Sequence, residues 1–265
     1  MMFSLYPEGK KRALTLSYDD GFRFDRRLVG ILDEYGIHGT FNLISGRIDE
    51  AGYISGAEVA SLYHNHEVGV HTAHHYDLTA IPVTMAVNEI VNCRRALEDL
   101  AGYAVRGMAY PYGRWNDQIV SLLPSLGIAY ARVCPLSDDF RIGRDLYRWQ
   151  GNSRNISNLM KVGRYFLEME DKTPDSLQLM YVWGHSFEFD RQGNWSEMEG
   201  FCKMMAGHSD IWYATNGEIA DYVDDLHRLR FTADCRQVYN PCCRDLWLNV
   251  DGRAVRVPAG MTEKL

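Results

Sequence analysis

The sequence predicts an α/β fold with a parallel sheet closed into a barrel, followed by a small β-hairpin appendage. Three observations lead there. Strand-like and helix-like stretches alternate from residue 12 into the last long helix. Residues 177–183 (LQLMYVW) form an almost continuous apolar run, as in strands buried on both faces. The length of 265 residues is close to that of single α/β barrels. An open doubly wound sheet is the competing architecture.

The elements follow in order. Residues 12–18 read as the first strand. Residues 24–35 read as a helix, with Leu28, Ile31 and Leu32 at helical spacing and Gly36 as its stop. Residues 38–45 are the second strand. Ser55 and Glu58 form a capping box that opens a short helix through Tyr63. Residues 67–72 are the third strand, and 83–100 a long helix with Ala86, Ile90, Val91 and Leu97 on one face. Residues 105–110 and 128–134 are strands four and five, separated by a helix near 117–126. A helix over 156–167 precedes the sixth strand at 177–183. Ser196 and Glu199 mark a further helix, 211–214 the seventh strand, and Thr215 with Glu218 the start of the last helix. Seven βα units in series imply a parallel sheet. Residues 246–250 and 253–257 flank Asp251-Gly252, which reads as a tight hairpin turn. The expected domains are 1–229 for the barrel and 230–265 for an appendage packed on it.

Hydrophobic residues make up 46% and charged residues 24%, which excludes a disordered or fibrous chain. A net charge of −7 speaks against a nucleic-acid partner. No window approaches the 18 apolar residues of a membrane span. The apolar start is broken by Pro7-Glu8-Gly9 and does not read as a secretory signal, so a cytoplasmic protein is expected. The six cysteines include no CxxC pair, so they are read as free thiols rather than zinc ligands. No GxGxxG follows the first strand, which disfavours a dinucleotide-binding oxidoreductase.

Chemistry concentrates just after the strands. The first ends in Ser17-Tyr18-Asp19-Asp20-Gly21, the third in His71-Thr72-Ala73-His74-His75, the fourth in Tyr110-Pro111-Tyr112-Gly113 and the sixth in Gly184-His185-Ser186. In a parallel α/β fold these tips converge on one face. His71 and His75 are four apart, which on a helical turn places both imidazoles on one side. With one carboxylate they make a two-His-one-carboxylate set suited to zinc or another first-row metal. The adjacent aspartates suggest a division of labour, Asp20 binding the metal and Asp19 accepting a proton from water. A capped turn with solvated histidines is the alternative.

These residues resemble the motifs of the polysaccharide deacetylases, the chitooligosaccharide-deacetylase-like domain of carbohydrate esterase family four. The resemblance covers about residues 10 to 225. Its first motif, [T/S]-[F/Y]-D-D-G, is matched at 17–21, and its second, H-[S/T]-x-x-H, at 71–75. The resemblance implies a distorted (β/α)7 barrel, metal ligation by Asp20, His71 and His75, and Asp19 as general base. His74 is the chemical rival of His75, and the motif spacing favours His75. The third motif, R-x-P-[F/Y]-G, appears as Ala109-Tyr110-Pro111-Tyr112-Gly113. Pro111 and Tyr112 are implied in substrate binding, with the Tyr112 N–H facing the oxyanion. The arginine that pairs with the base in the family is here Ala109. Arg106 is a substitute by a different path, or simply a charge near the strand start. The fourth motif is poorly matched; Trp149 is the candidate for its aromatic wall, with an ordinary packed tryptophan as the alternative. The fifth motif ends at His185, implied as the general acid. Glu188 and Asp190 follow it on what reads as a solvated loop.

The expected activity is metal-dependent removal of acetyl groups from an N-acetylated carbohydrate. Zinc is the expected metal, with cobalt, nickel or manganese as options. The expected partner is an acetylated oligo- or polysaccharide, with neither nucleic acid nor membrane. An O-acetyl esterase, another amide hydrolase, and a catalytically impaired carbohydrate-binding protein are the competing readings.

Overall fold

The computed structural model describes residues 2–154, 158–169 and 176–265. Its strands are β1 (Met2–Leu5), β2 (Arg12–Asp20), β3 (Gly39–Leu43), β4 (Glu67–Val70), β5 (Gly107–Ala109), β6 (Tyr130–Leu136), β7 (Trp149–Gly151), β8 (Ser153–Arg154), β9 (Gln178–Gly184), β10 (Ile211–Tyr213), β11 (Arg230–Phe231), β12 (Gln237–Tyr239), β13 (Leu246–Val250), β14 (Arg253–Val257) and β15 (Thr262–Lys264). The α-helices are α1 (Asp25–Glu34), α2 (Val59–Leu62), α3 (Val83–Ala101), α4 (Asp117–Leu122), α5 (Leu159–Glu168), α6 (Ser186–Gln192), α7 (Trp195–Met205) and α8 (Asn216–His227). The predicted helix 156–167 is α5; its first two predicted residues lie outside the described residues.

The main sheet runs β7-β6-β5-β4-β3-β2-β9-β8, and every pairing in it is parallel. Its two ends, β7 and β8, are consecutive in the chain. The first half of the segment 149–154 pairs with β6 and the second with β9, so this one segment closes the sheet into a nearly complete barrel. The barrel therefore has seven staves, but one differs from expectation. The predicted seventh strand, β10, pairs only with residues 12–14 of β2, below the point where β3 joins the same strand. The true closing stave reads WQGNSR, a short polar stretch with no apolar alternation to mark it. A side-chain bond helps hold it: Asn152 Oδ1 accepts the Tyr181 N–H at 2.7 Å.

Strand alternation sorts β2 into two faces. Leu14, Leu16 and Tyr18 pack in the main apolar core with residues of α1, α3 and α7. Thr15, Ser17 and Asp19 lie on the opposite face, each fully or almost fully buried. Polar groups so buried need partners. Thr15 donates to Asn216 Oδ1 (2.8 Å), and the Asn42 amide donates to Ser17 (3.0 Å) and Asp19 (2.9 Å). Asn216 opens α8, whose start is capped by Thr215 and Glu218 as predicted.

Glu67, at the start of β4, accepts hydrogen bonds from Thr40 (2.9 Å) and the Gly217 N–H (2.7 Å). A Cβ on Gly217 would come within 2.6 Å of the Glu67 carboxylate, so this close approach requires glycine. Burial pushes the Glu67 carboxyl up to about 7, against the pull of the Gly217, Tyr130 and Thr40 donors. The folded protein then keeps a proton that the unfolded chain releases near pH ~4.3. Stability from this group is complete below that value and is lost as pH rises through about 7. In Glu67→Gln, the fall in melting temperature between about pH 5 and 8 should be smaller than in the wild type. An equal fall in thermal melts would show Glu67 already ionised in the fold.

The C-terminal hairpin forms as predicted, β13 against β14, with Asp251 and Gly252 both at positive φ as such a turn requires. It is not alone. The N-terminal strand β1 pairs with β13, and β11, β12 and β15 make a second three-stranded sheet. The tail is tied to the barrel through Tyr222 of α8, which donates to the Leu5 carbonyl (2.8 Å) and accepts the Trp247 N–H (3.1 Å). Helix α7 starts at Trp195 behind Asn194, two residues before the pair expected to cap it at Ser196. Among the described residues, no helix is long and apolar enough to cross a membrane.

Candidate metal centre and its surroundings

Asp19 and Asp20 are neighbours on one strand, and regular alternation would send them to opposite faces. Asp20 adopts φ 80, a left-handed conformation that turns the chain at the strand end. Thr72, His75 and Tyr112 share it, at φ 64, 59 and 58. Such positions are strained for residues other than glycine and cluster where a site over-determines the backbone.

Asp20 Oδ1 lies 3.5 Å from His71 Nε2 and 3.8 Å from His75 Nε2, and the two imidazole nitrogens are 3.1 Å apart. Four ligands at zinc–nitrogen and zinc–oxygen lengths stand about 3.3 Å from one another in a tetrahedron. The three observed separations bracket that value. His71 Nδ1 is 2.8 Å from the Ala109 carbonyl, which fixes the proton on that nitrogen and leaves Nε2 as the free donor atom. Asp20 Oδ1 is buried and makes no hydrogen bond among the described residues. A divalent cation fits this donor set and would satisfy that oxygen. Burial lowers the His71 imidazole to about 4 and lowers His75 as well, so both are neutral ligands at pH 7. Burial raises the Asp20 carboxyl to about 6, partly offset by His185.

The two histidines do not sit on a helical turn, as their spacing suggested. Residues 71–75 form a tight irregular loop in which Thr72 Oγ1 accepts the His75 N–H (3.0 Å). His74 points elsewhere: its ring nitrogen is 2.6 Å from Glu89 Oε1, on a largely exposed side chain.

Asp19 is 2% exposed. Its Oδ1 accepts from Asn42, and its Oδ2 pairs with Arg132, which is 1% exposed. Burial alone would raise the Asp19 carboxyl; Arg132, His71, His185 and the Asn42 amide outweigh it and hold the group below the usual carboxylate range. Arg132 was not singled out in the sequence, although an arginine inside the apolar stretch 128–134 was a usable signal, since a buried charge requires a partner. Arg106 is not the substitute: it pairs with Asp221 on the surface (2.9 Å).

His185 Nε2 is 4.0 Å from Asp20 Oδ2, and its Nδ1 is 3.5 Å from Glu188 Oε1. Glu188 is no solvated loop residue. It lies buried on α6, which the sequence reading did not anticipate, and it accepts from Arg154 at 2.8 Å. Burial works against the His185 cation, but Glu188, Asp19 and Asp20 raise its pKa above the ordinary imidazole value. Two guanidiniums lie over the Trp183 ring, Arg132 4.4 Å and Arg154 5.0 Å from its centre. Tyr112 is 61% exposed with its ring 4.6 Å from His75, and Pro111 beside it is buried. Trp149 offers no face to a ligand. It is 2% exposed and packs edge-on against Tyr130 and Tyr181, because its strand closes the barrel.

Fold and site together define an α/β barrel with an Asp-His-His cluster that could hold a metal ion at the C-terminal ends of its strands. Residues 7–131 match the family model described as polysaccharide deacetylase. Over that stretch, a little under half of its length, the chain is similar to the polysaccharide deacetylases. It is 27% identical over 113 residues to the peptidoglycan-N-acetylmuramic acid deacetylase PdaC of Bacillus subtilis, covering 42% of this chain and 24% of that one. It is 28% identical over 120 residues to a chitooligosaccharide deacetylase of Sinorhizobium fredii, covering 44% and 54%. The matched stretches thus span about half or less of these relatives. A Mycobacterium smegmatis protein assigned to the polysaccharide deacetylases shares the fold, with a TM-score of 0.65 at 18% identity over 85% of this chain and 94% of that one.

Proposed function

We propose that the protein is a metal-dependent deacetylase that removes acetyl groups from an N-acetylated carbohydrate. The observation that carries this reading is the pair flanking the ligand set. Arg132 and Asn42 hold the Asp19 carboxyl below the usual carboxylate range, while Glu188, 3.5 Å from His185 Nδ1, helps to raise that imidazole above its ordinary value. Two groups whose surroundings push their pKa values apart are suited to act as base and acid at one pH.

Asp20, His71 and His75 would hold the cation. When bound, it supplies Lewis acidity, polarising the acetyl oxygen and making a nearby water easier to deprotonate. Asp19 accepts the proton of the attacking water through its carboxylate. The Tyr112 backbone N–H, at the rim, donates to the oxygen that becomes negative. His185 delivers a proton from Nε2 to the departing amine, while Glu188 keeps Nδ1 engaged. The exposed Tyr112 ring is placed to cover a sugar face. Two imidazoles and a carboxylate make zinc the first metal to test, before cobalt, nickel or manganese.

The test is acetate release from N-acetylated chitooligosaccharides, with an O-acetylated xylan as comparison. Chelation should abolish release and added zinc restore it. One bound equivalent of metal without acetate from either substrate would leave a binding protein rather than an enzyme.

A further inference from the structure

We infer that Arg132 is the positioning residue for Asp19, supplied by β6 in place of an arginine on the neighbouring strand β5. This rests on the reading of Asp19 as the base. The observation is one of register. Ala109, the last residue of β5, pairs directly with Arg132 of β6. In a parallel ladder, paired residues present their side chains on the same face, about 4.8 Å apart. A guanidinium absent at 109 is therefore present one strand away, at the same height and on the same face of the sheet. Ala109 and Arg132 are both fully or almost fully buried, so this exchange lies wholly inside the barrel.

The guanidinium has one charged partner, Asp19, reached across the barrel from β6 to β2. Among the described residues it also meets the Val133 carbonyl (3.4 Å), the Cys134 sulfur (4.0 Å) and the Trp183 ring. An arginine so buried is expensive unless its partner is placed well. The same contact that gives Arg132 its counter-charge thus fixes one carboxylate oxygen of Asp19, while Asn42 fixes the other. Ala109 then ceases to argue for an impaired enzyme, because the charge it lacks is restored by its strand partner.

The test compares Arg132→Ala, Arg132→Lys and the exchange variant Arg132→Ala/Ala109→Arg, each loaded with zinc. Kinetics and crystal structures are read together. In Arg132→Ala, kcat should fall about 100-fold or more, as for a reacting group displaced by about 1 Å. KM and zinc affinity should stay within about threefold, because substrate and ligand contacts are untouched. Arg132→Lys should recover part of the loss, and the exchange variant should recover at least tenfold over Arg132→Ala. The crystal structure of Arg132→Ala should show the Asp19 carboxylate rotated away from its present orientation. Wild-type kcat in a folded Arg132→Ala protein, or an Asp19 carboxylate unmoved in its structure, would overturn the inference. So would an exchange variant that folds and binds zinc but is no faster than Arg132→Ala. If Arg132→Ala does not fold, the exchange variant is compared with the wild type instead: a kcat within about tenfold supports the inference, and a folded, zinc-loaded exchange variant slower by about 100-fold or more overturns it. A wild type that releases no acetate would instead refute the deacetylase reading, and the crystallographic comparison would still decide the placement of Asp19.

Discussion

Replacing His71 by alanine is expected to cost more than about 100-fold in zinc affinity. Loss of a residue that merely orients a ligand typically costs 10–100-fold, and His71 is itself a donor. The substitution removes one of three groups whose ligand atoms lie within 4.8 Å of one another, and the one most deeply buried. It also leaves the Ala109 carbonyl, which orients the ring, without that partner. Chelator competition and metal analysis of the purified variant measure the effect. His74→Ala is the matched control: its ring pairs with Glu89 outside the ligand set, so metal content should not change. Full occupancy in His71→Ala would remove the basis of the candidate centre.

Asp19→Asn is expected to lower kcat by about 10²–10⁴, the usual worth of a positioned general base. The amide keeps the shape of the carboxylate and can still meet Asn42, but it cannot accept the proton of water. Zinc should remain bound, because Asp20, His71 and His75 are unchanged. Stability should fall as well. Arg132 would be left buried without its counter-charge, and breaking such a pair from one side costs about 3–5 kcal/mol. Acetate release at one equivalent of zinc, with a thermal melt of the same sample, separates the two effects. Unchanged release would sink the assignment of Asp19 as base.

Much of this was legible in the chain. The motifs at 17–21 and 71–75 name the residues that the fold brings into one Asp-His-His cluster, because residue type and placement after a strand are local properties. The alternation of elements implies a parallel sheet for the same reason. What failed was what depends on neighbours distant in sequence. The spacing of His71 and His75 suggested a helical turn, whereas the positive φ of Thr72 and His75 makes a tight loop. Trp149 looked available to a sugar, yet its strand closes the barrel and the ring is sealed against Tyr130 and Tyr181. Residues 149–154 carry no periodicity that marks a strand, and what makes them one is pairing of their first half with β6 and their second with β9.

The sequence by itself determined the fold class, the order of most elements, and the identities of the ligand, base and acid candidates. These follow from periodicity and from short motifs that need no partner to be recognised. Only the tertiary structure decided which charges serve them. Arg132 reaches Asp19 because parallel register places it beside Ala109, on the face that looks across the barrel to β2. A buried charge is chosen by where its counter-charge sits in space, and that is set by strand order and register.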